Sequence, residues 1–243
     1  MRCLSALELV NVWESGLDRP PVSRALTMLA CCSDDSWDTL AALPIGRRDA
    51  RLLDVYERLF GPLMDAFAEC PQCSEPLEYS LIAGDLRGSG NTSVEDELML
   101  DAQGFHMHLR LPNSEDFERA GRFNDLSAAR RFLLERCMVE ASHAGSPIPA
   151  IAIPDSLSEE IEARIAQADP QTEILIRLFC SACQHSWQVL FDIERFLWVK
   201  FSALAKRLLR EVHTLARAYG WSEAEILSLS ASRRQAYLEL VSA

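Results

Sequence analysis

The sequence has no hydrophobic run long enough to cross a bilayer: no window of about 18 apolar residues occurs, so no membrane span is expected. A secretory leader is lacking too, because Glu8, Asn11 and Glu14 interrupt the opening MRCLSALELVNVWESG. The run MLAC at Met28–Cys31 has the look of a lipoprotein site, but Glu14, Asp18 and two prolines precede it. These absences point to a cytoplasmic chain with reduced thiols. Asn91-Thr92-Ser93 then reads as a turn, not as a glycosylation acceptor. Basic residues are in deficit, 24 Lys and Arg against 36 Asp and Glu, for a net charge of −12. A general nucleic-acid binder carries the opposite balance, although a local basic patch stays open. Catalytic signatures are missing as well. There is no nucleophile elbow, no Gly-x-x-x-x-Gly-Lys and no His-Glu-x-x-His. GDLRGSG has glycines but neither a lysine nor a following helix, so it reads as a turn. No enzyme and no small-molecule substrate are expected.

What is present fits a globular protein with a real core: 49% hydrophobic and 25% charged residues in 243. Helical periodicity dominates the first third. Leu7, Leu9, Val10, Val12 and Trp13 form one apolar face, and VSRALTMLACC predicts a second helix with Ser23 as its cap. ARLLDVYERLFGPLMDAFAEC keeps helical spacing through Phe67. The pattern then changes to alternation in PLEYSLIA and FHMHLRLP, and again in EILIRLFC and HSWQVLFDI, as half-buried strands require. Between these pairs the spacing predicts helices in SEDFERAG, capped by Asn113 or Ser114, and in SAARRFLLERCMVEA. It also predicts an extended linker GSPIPAIAIP and a helix opened by a Ser156/Glu159 capping box. From Phe196 onward the chain reads as helix, with Phe201, Leu204, Leu208, Val212, Leu215 and Tyr219 in one stripe and Gly220 as its end. The expected class is therefore α+β and mostly helical. A small zinc-ribbon-like antiparallel β unit (67–193) carries a helical insertion (112–170) and is flanked by helical regions 1–66 and 194–243.

Two cysteine pairs stand out. Cys70 and Cys73 in ECPQCSEPLEYSL, and Cys180 and Cys183 in FCSACQHSWQVLF, are each followed by a strand-like run. Four thiolates suit tetrahedral zinc, so one structural Zn²⁺ per chain is expected on Cys70, Cys73, Cys180 and Cys183. The 106 residues between Cys73 and Cys180 far exceed the usual interval between such pairs. A redox dithiol and coincidental core cysteines are the alternatives. Neither pair opens a helix after a strand, the setting that lowers a thiol pKa. His185 stands near enough to replace a cysteine. His106 and His108, at i and i+2, share one side of a strand. With no nearby acid or third ligand in the sequence, they read as partly exposed histidines. Cys3, Cys31, Cys32 and Cys137 read as small buried hydrophobes.

The tail is locally positive, with seven basic and four acidic residues from Lys200 onward. Its Tyr219, Trp221, Arg233, Arg234 and Tyr237 are of types enriched at interface hot spots. Equally, Trp221 and Tyr237 can pack the tail onto its own long helix. The segment LLREVHTLARAYGWSEAEILSLSASRRQAYLELV resembles the C-terminal part of a family of baseplate proteins from contractile phage tails, with related members in phage-tail-like contractile injection systems. The likeness lies in the helix with His213 and Leu215, YGW at Tyr219–Trp221, EIL at Glu225–Leu227 and RRQAYL at Arg233–Leu238. LPIGRRDARLLDVYERLFG at Leu43–Gly61 and the knuckle opening at Cys70 are similar too. The resemblance implies a non-enzymatic component or assembly factor, joined to other baseplate or tail proteins in an assembled particle. The competing readings are a zinc-ribbon regulator that contacts nucleic acid or the transcription machinery, and a thiol oxidoreductase.

Overall fold

The computed structural model describes residues 2, 4–87 and 97–242; Cys3 and the Asn91-Thr92-Ser93 turn lie outside them. The chain opens with α1 (Ala6–Gly16) and α2 (Pro21–Cys32), then the short α3 (Trp37–Ala41) and α4 (Ile45–Phe60). A hairpin of β1 (Leu63–Glu69) and β2 (Pro76–Ile82) runs into α5 (Ala83–Leu86). Next come β3 (Glu97–Ala102), β4 (Phe105–Arg110), α6 (Ser114–Ala120), α7 (Leu126–Cys137), β5 (Met138–His143) and β6 (Ser146–Pro147). After α8 (Ser158–Ala168), β7 (Ile174–Phe179) and β8 (Ser186–Phe191) make a second hairpin. The long α9 (Ile193–Tyr219), α10 (Glu223–Ser228) and α11 (Ala231–Ser242) complete the order. The class is α+β, mostly helical, with small antiparallel sheets.

Two compact units divide the chain. One comprises Met1–Ser36 with Ile193–Ala243; the other is Trp37–Asp192. In the first, α9 is the spine against which α1, α2, α10 and α11 pack. Leu9, Val10, Leu26, Met28 and Leu29 are buried on α1 and α2, and Leu197, Phe201, Ala205, Leu208 and Leu215 form the buried stripe of α9. Leu204 and Val212 are only half-buried in that stripe, and Tyr219 is exposed. Capping boxes at Ser5/Glu8 and Ser222/Glu225 satisfy orphan N–H groups at two helix starts. α2 instead begins at Pro21, not at a Ser23 cap, because a proline at the first turn loses no hydrogen bond.

In the second unit, β3-β4-β5-β6 form a four-stranded antiparallel sheet. Its inner face, with Leu98, Met107, Leu109 and Ala141, packs on Leu157 and on Ile161 of α8. Asn113, not Ser114, caps α6. Asp116 is fully buried and is held by Arg110 at 2.6 Å, Arg136 at 3.0 Å and the Asn113 N–H at 3.1 Å. Cys32 and Cys137 are buried and Cys31 is half-buried, as small hydrophobes.

Four expectations from periodicity change. The α4 helix stops at Phe60, because Gly61 adopts φ +86° and Pro62 follows, so MDAFAE is strand and not helix. β2 therefore pairs with β1, and β4 pairs with β3 and β5; PLEYSLIA and FHMHLRLP are not partners. In SAARRFLLERCMVEA only the part to Cys137 is helical, and Met138 turns extended to start β5. The Ser156/Glu159 box does not form: a 3₁₀ turn over Asp155–Leu157 precedes α8, whose N-cap is Leu157. The segment read as an extended linker contributes β6 and a 3₁₀ turn at Ala150–Ala152.

Asp49 on α4 supplies a pH test. Burial pushes its carboxyl up to about 6, against the pull of Arg48 at 2.7 Å and with the repulsion of Asp192 and Asp169. In the unfolded chain an aspartate titrates near ~3.9, so between about 4 and 6 the folded chain binds more protons. Its contribution to stability therefore falls as pH rises through that window. Asp49→Asn should gain on the unaltered protein by roughly 2 kcal/mol between pH 4.5 and pH 7, as read by urea unfolding at both values.

Candidate metal centre

The two cysteine pairs sit at the tips of the two hairpins, and the hairpins are built alike. Glu69 pairs with Pro76 across the first tip, and Phe179 pairs with Ser186 across the second. Each tip is therefore a six-residue knuckle with its cysteines first and fourth, and the two intervals are identical although the sequences differ. Inside each knuckle the backbone closes on itself in the same way. Cys70 N–H donates to Glu75 O at 3.0 Å and Ser74 N–H to Cys70 O at 2.8 Å. Cys180 N–H donates to His185 O and Gln184 N–H to Cys180 O, both at 2.9 Å. Ser74 and Gln184 take the left-handed conformation, φ +61° and +64°, that turns the chain after the second cysteine.

The four Sγ atoms all lie within 4.8 Å of one another. Across the hairpins, Cys70 faces Cys183 and Cys73 faces Cys180, each at 3.6 Å. A disulfide needs about 2.05 Å, so these are thiols. The edges of a tetrahedron around a metal with ~2.3 Å bonds to sulfur measure about 3.8 Å, so the set fits one ion. Cys70 and Cys180 are buried, Cys183 is half-buried and Cys73 is exposed, placing the cluster at the rim of its unit. The electrostatics agree. Burial pushes the Cys70 thiol up, but the N–H groups of Gln72 and Cys73 outweigh it and bring the thiol down to about 7. The N–H of Glu75 favours a Cys73 thiolate, yet the crowding thiols push it up to about 12. Cys183 has its own supporting N–H, from His185, and is still raised by burial and its neighbours. Donors are thus aimed at sulfurs that only a cation allows to be deprotonated together.

The structure brings together all four cysteines proposed from the sequence and leaves His185 outside. Its ring stacks on Trp187 with centroids 5.9 Å apart. Tyr219, Trp221 and Tyr237 form an aromatic triad, Trp221 lying 4.7 Å from Tyr219 and 4.8 Å from Tyr237. Arg234 is buried and bonds Glu211 at 2.9 Å, whereas Arg233 is exposed. The reading of His106 and His108 changes in one respect: acids do stand beside them, supplied by the neighbouring strand. Asp101 lies 2.7 Å from His106 Nδ1, and Glu97 lies 3.2 Å from His108 Nε2. The pairing of β3 with β4 was invisible in the alternation pattern, and so were these neighbours.

Comparison with known proteins places this geometry in a family context. A family model described as T4 bacteriophage base plate protein matches residues 25–198, well over half of the chain, and both cysteine knuckles fall inside the match. No curated protein and no solved structure matches the chain.

The left-handed residues give a local test of the knuckles. Glycine adopts that conformation at no steric cost, so Ser74→Gly and Gln184→Gly should each stabilise the protein by about 0.5–1 kcal/mol. The double variant should melt a few degrees higher; an unchanged or lower melting temperature would contradict the knuckle geometry.

Proposed function

We propose that this chain, which belongs to the T4 bacteriophage base plate protein family, is a non-enzymatic structural component or assembly factor of a contractile, phage tail-like baseplate. It acts through protein–protein contacts and is fastened by one structural zinc ion. The observation that carries the reading is the closed four-sulfur set within the family match. Tetrahedral sulfur coordination selects zinc or iron–sulfur chemistry, and zinc suits two knuckles that offer four lone thiolates with supporting N–H donors. A zinc ion with four cysteine ligands has no open position for water or substrate, so its role is to hold the fold. The two knuckles then clasp each other as in a zinc ribbon, with an unusually long excursion between the halves.

The contact surface is proposed on the tail. Tyr219, Trp221 and Tyr237 present an aromatic cluster beside the exposed Arg233, while Arg234 braces α11 from within through Glu211. Exposed Leu240 and Val241 extend this apolar surface. Neighbouring baseplate or tail proteins are its proposed partners, in an assembled particle. Among the described residues no helix is long and apolar enough to cross a membrane.

Elemental analysis should find about one zinc per chain, and Cys73→Ser or Cys180→Ser should release it and reduce solubility. Full zinc occupancy in either variant would remove that cysteine from the centre, and iron in place of zinc would change the metal. A separate experiment addresses partners. Affinity capture under mild conditions, followed by mass spectrometry, should recover baseplate, tube or sheath proteins. Trp221→Ala combined with Arg233→Ala should reduce that recovery at least tenfold without loss of zinc; recovery of none by the unaltered chain would count against the assembly role.

A further inference from the structure

The outer face of the four-stranded sheet carries a second set of metal-binding side chains, separate from the cysteines. His106 and His108 project from β4 to the solvent side, two strand positions or about 6.6 Å apart. Register sets their neighbours. Asp101 of β3 and Ser142 of β5 lie opposite His106, while Met99 of β3 and Glu140 of β5 lie opposite His108. Next to His108 the β4–β5 ladder slips: Glu140 pairs with His108 and Met138 with Leu109, leaving Val139 as the extra residue. Such bulges re-aim side chains and are common beside functional sites. His106, His108, Glu140 and Ser142 line a concavity of about 500 Å³ over this face.

Each imidazole is already oriented by a carboxylate. Asp101 holds the Nδ1 edge of His106, which leaves Nε2 directed elsewhere; Glu97 holds the Nε2 edge of His108, which leaves Nδ1. A carboxylate on one ring nitrogen is the usual second partner of a metal-ligating histidine, where it fixes the tautomer and raises the basicity of the other nitrogen. Glu140 has no hydrogen-bond or ion-pair partner among the described residues, which makes it an available third donor.

We infer that His106, His108 and Glu140 form a surface site for a divalent transition-metal ion such as Zn²⁺, Co²⁺ or Ni²⁺. Two imidazoles and one carboxylate suit these ions, and three protein donors leave coordination positions open. Unlike the four sulfurs, these donors are not drawn within 4.8 Å of one another. The side chains must turn inward to bind, so the site is weaker and more exchangeable than the cysteine centre.

Co²⁺ titrated into the intact protein tests this, because the two centres respond differently. Thiolate-bound Co²⁺ gives intense charge-transfer absorption. Co²⁺ on imidazole and carboxylate gives weak visible bands and broadens the imidazole proton resonances. Selective broadening of the His106 and His108 signals is expected at micromolar Co²⁺. His106→Ala with His108→Ala should abolish the weak-band site, and Glu140→Gln should weaken it about tenfold, with the thiolate signal and the unfolding transition unchanged. All three side chains lie on the solvent face, so these variants keep the core. No selective broadening up to millimolar Co²⁺, or a weak-band site that persists in the double histidine variant, overturns the inference. Neither result depends on what occupies the cysteines.

Discussion

The meeting of four sulfurs from two distant hairpins is the constraint on which the Trp37–Asp192 unit depends. Between Cys73 and Cys180 lie 106 residues, and closing a loop of that length costs on the order of 4 kcal/mol in chain entropy. Four sulfurs crowded within 4.8 Å add a penalty of their own, because they repel one another once deprotonated. The spread from about 7 at Cys70 to about 12 at Cys73 expresses that opposition. A cation held by all four sulfurs would reverse the balance. Structural zinc binding in small domains contributes on the order of 10–16 kcal/mol, more than enough to offset the closure. With such an ion the knuckle N–H groups would support thiolates whose mutual repulsion the cation offsets.

A second fastening joins the same two stretches of chain upstream of the hairpins. Asp169, at the end of α8, is buried and accepts the N–H of Gly46 at 2.8 Å, at the start of α4. A Cβ at position 46 would stand 1.8 Å from the Asp169 carboxylate, so only glycine permits the approach. From Gly46 the chain runs through α4 into β1, and from Asp169 it runs through a 3₁₀ turn into β7. Both strands therefore enter their knuckles from a common anchor. This explains how hairpins so distant in sequence can meet in register without a continuous sheet between them, since each remains a two-stranded ribbon.

The candidate centre was legible in the sequence because its signal is local: two cysteines at fixed spacing, each before an alternating run. α9 and its Gly220 terminus were legible for the same reason. What failed was partnership and termination. Leu63, Phe67 and their neighbours continue the apolar spacing of α4, and only the strain-free turn at Gly61 with Pro62 shows that the helix has ended. β3 and β1 gave no separate strand signal, so the alternation of β2 and β4 did not reveal that β1 and β3 lie beside them. The Ser156/Glu159 pattern was present, yet a 3₁₀ turn competed for the same residues and placed the helix start one residue later. Local patterns specify elements well; which strand lies beside which is decided by packing that no short window contains.

The family match and the tail divide the functional argument between them. The match ends at Trp198, within the second turn of α9, so it covers both knuckles and the α4 segment but none of Tyr219, Trp221, Arg233, Arg234 or Tyr237. Membership thus rests on the part of the chain that the four sulfurs fasten, whereas the proposed contacts rest on a part that the match does not reach. The two have different physical characters. The clasp is closed, with every sulfur turned toward its neighbours, and offers a partner little beyond the edge of Cys73. The tail is held by one long helix, a buried Arg234–Glu211 pair and a three-ring cluster in which Tyr219 stacks on Trp221 and Tyr237 meets both edge-on, and it keeps exposed apolar and basic side chains outside those contacts. An assembly protein needs both: a core whose shape survives incorporation into a particle, and a surface that can differ between systems without disturbing that core.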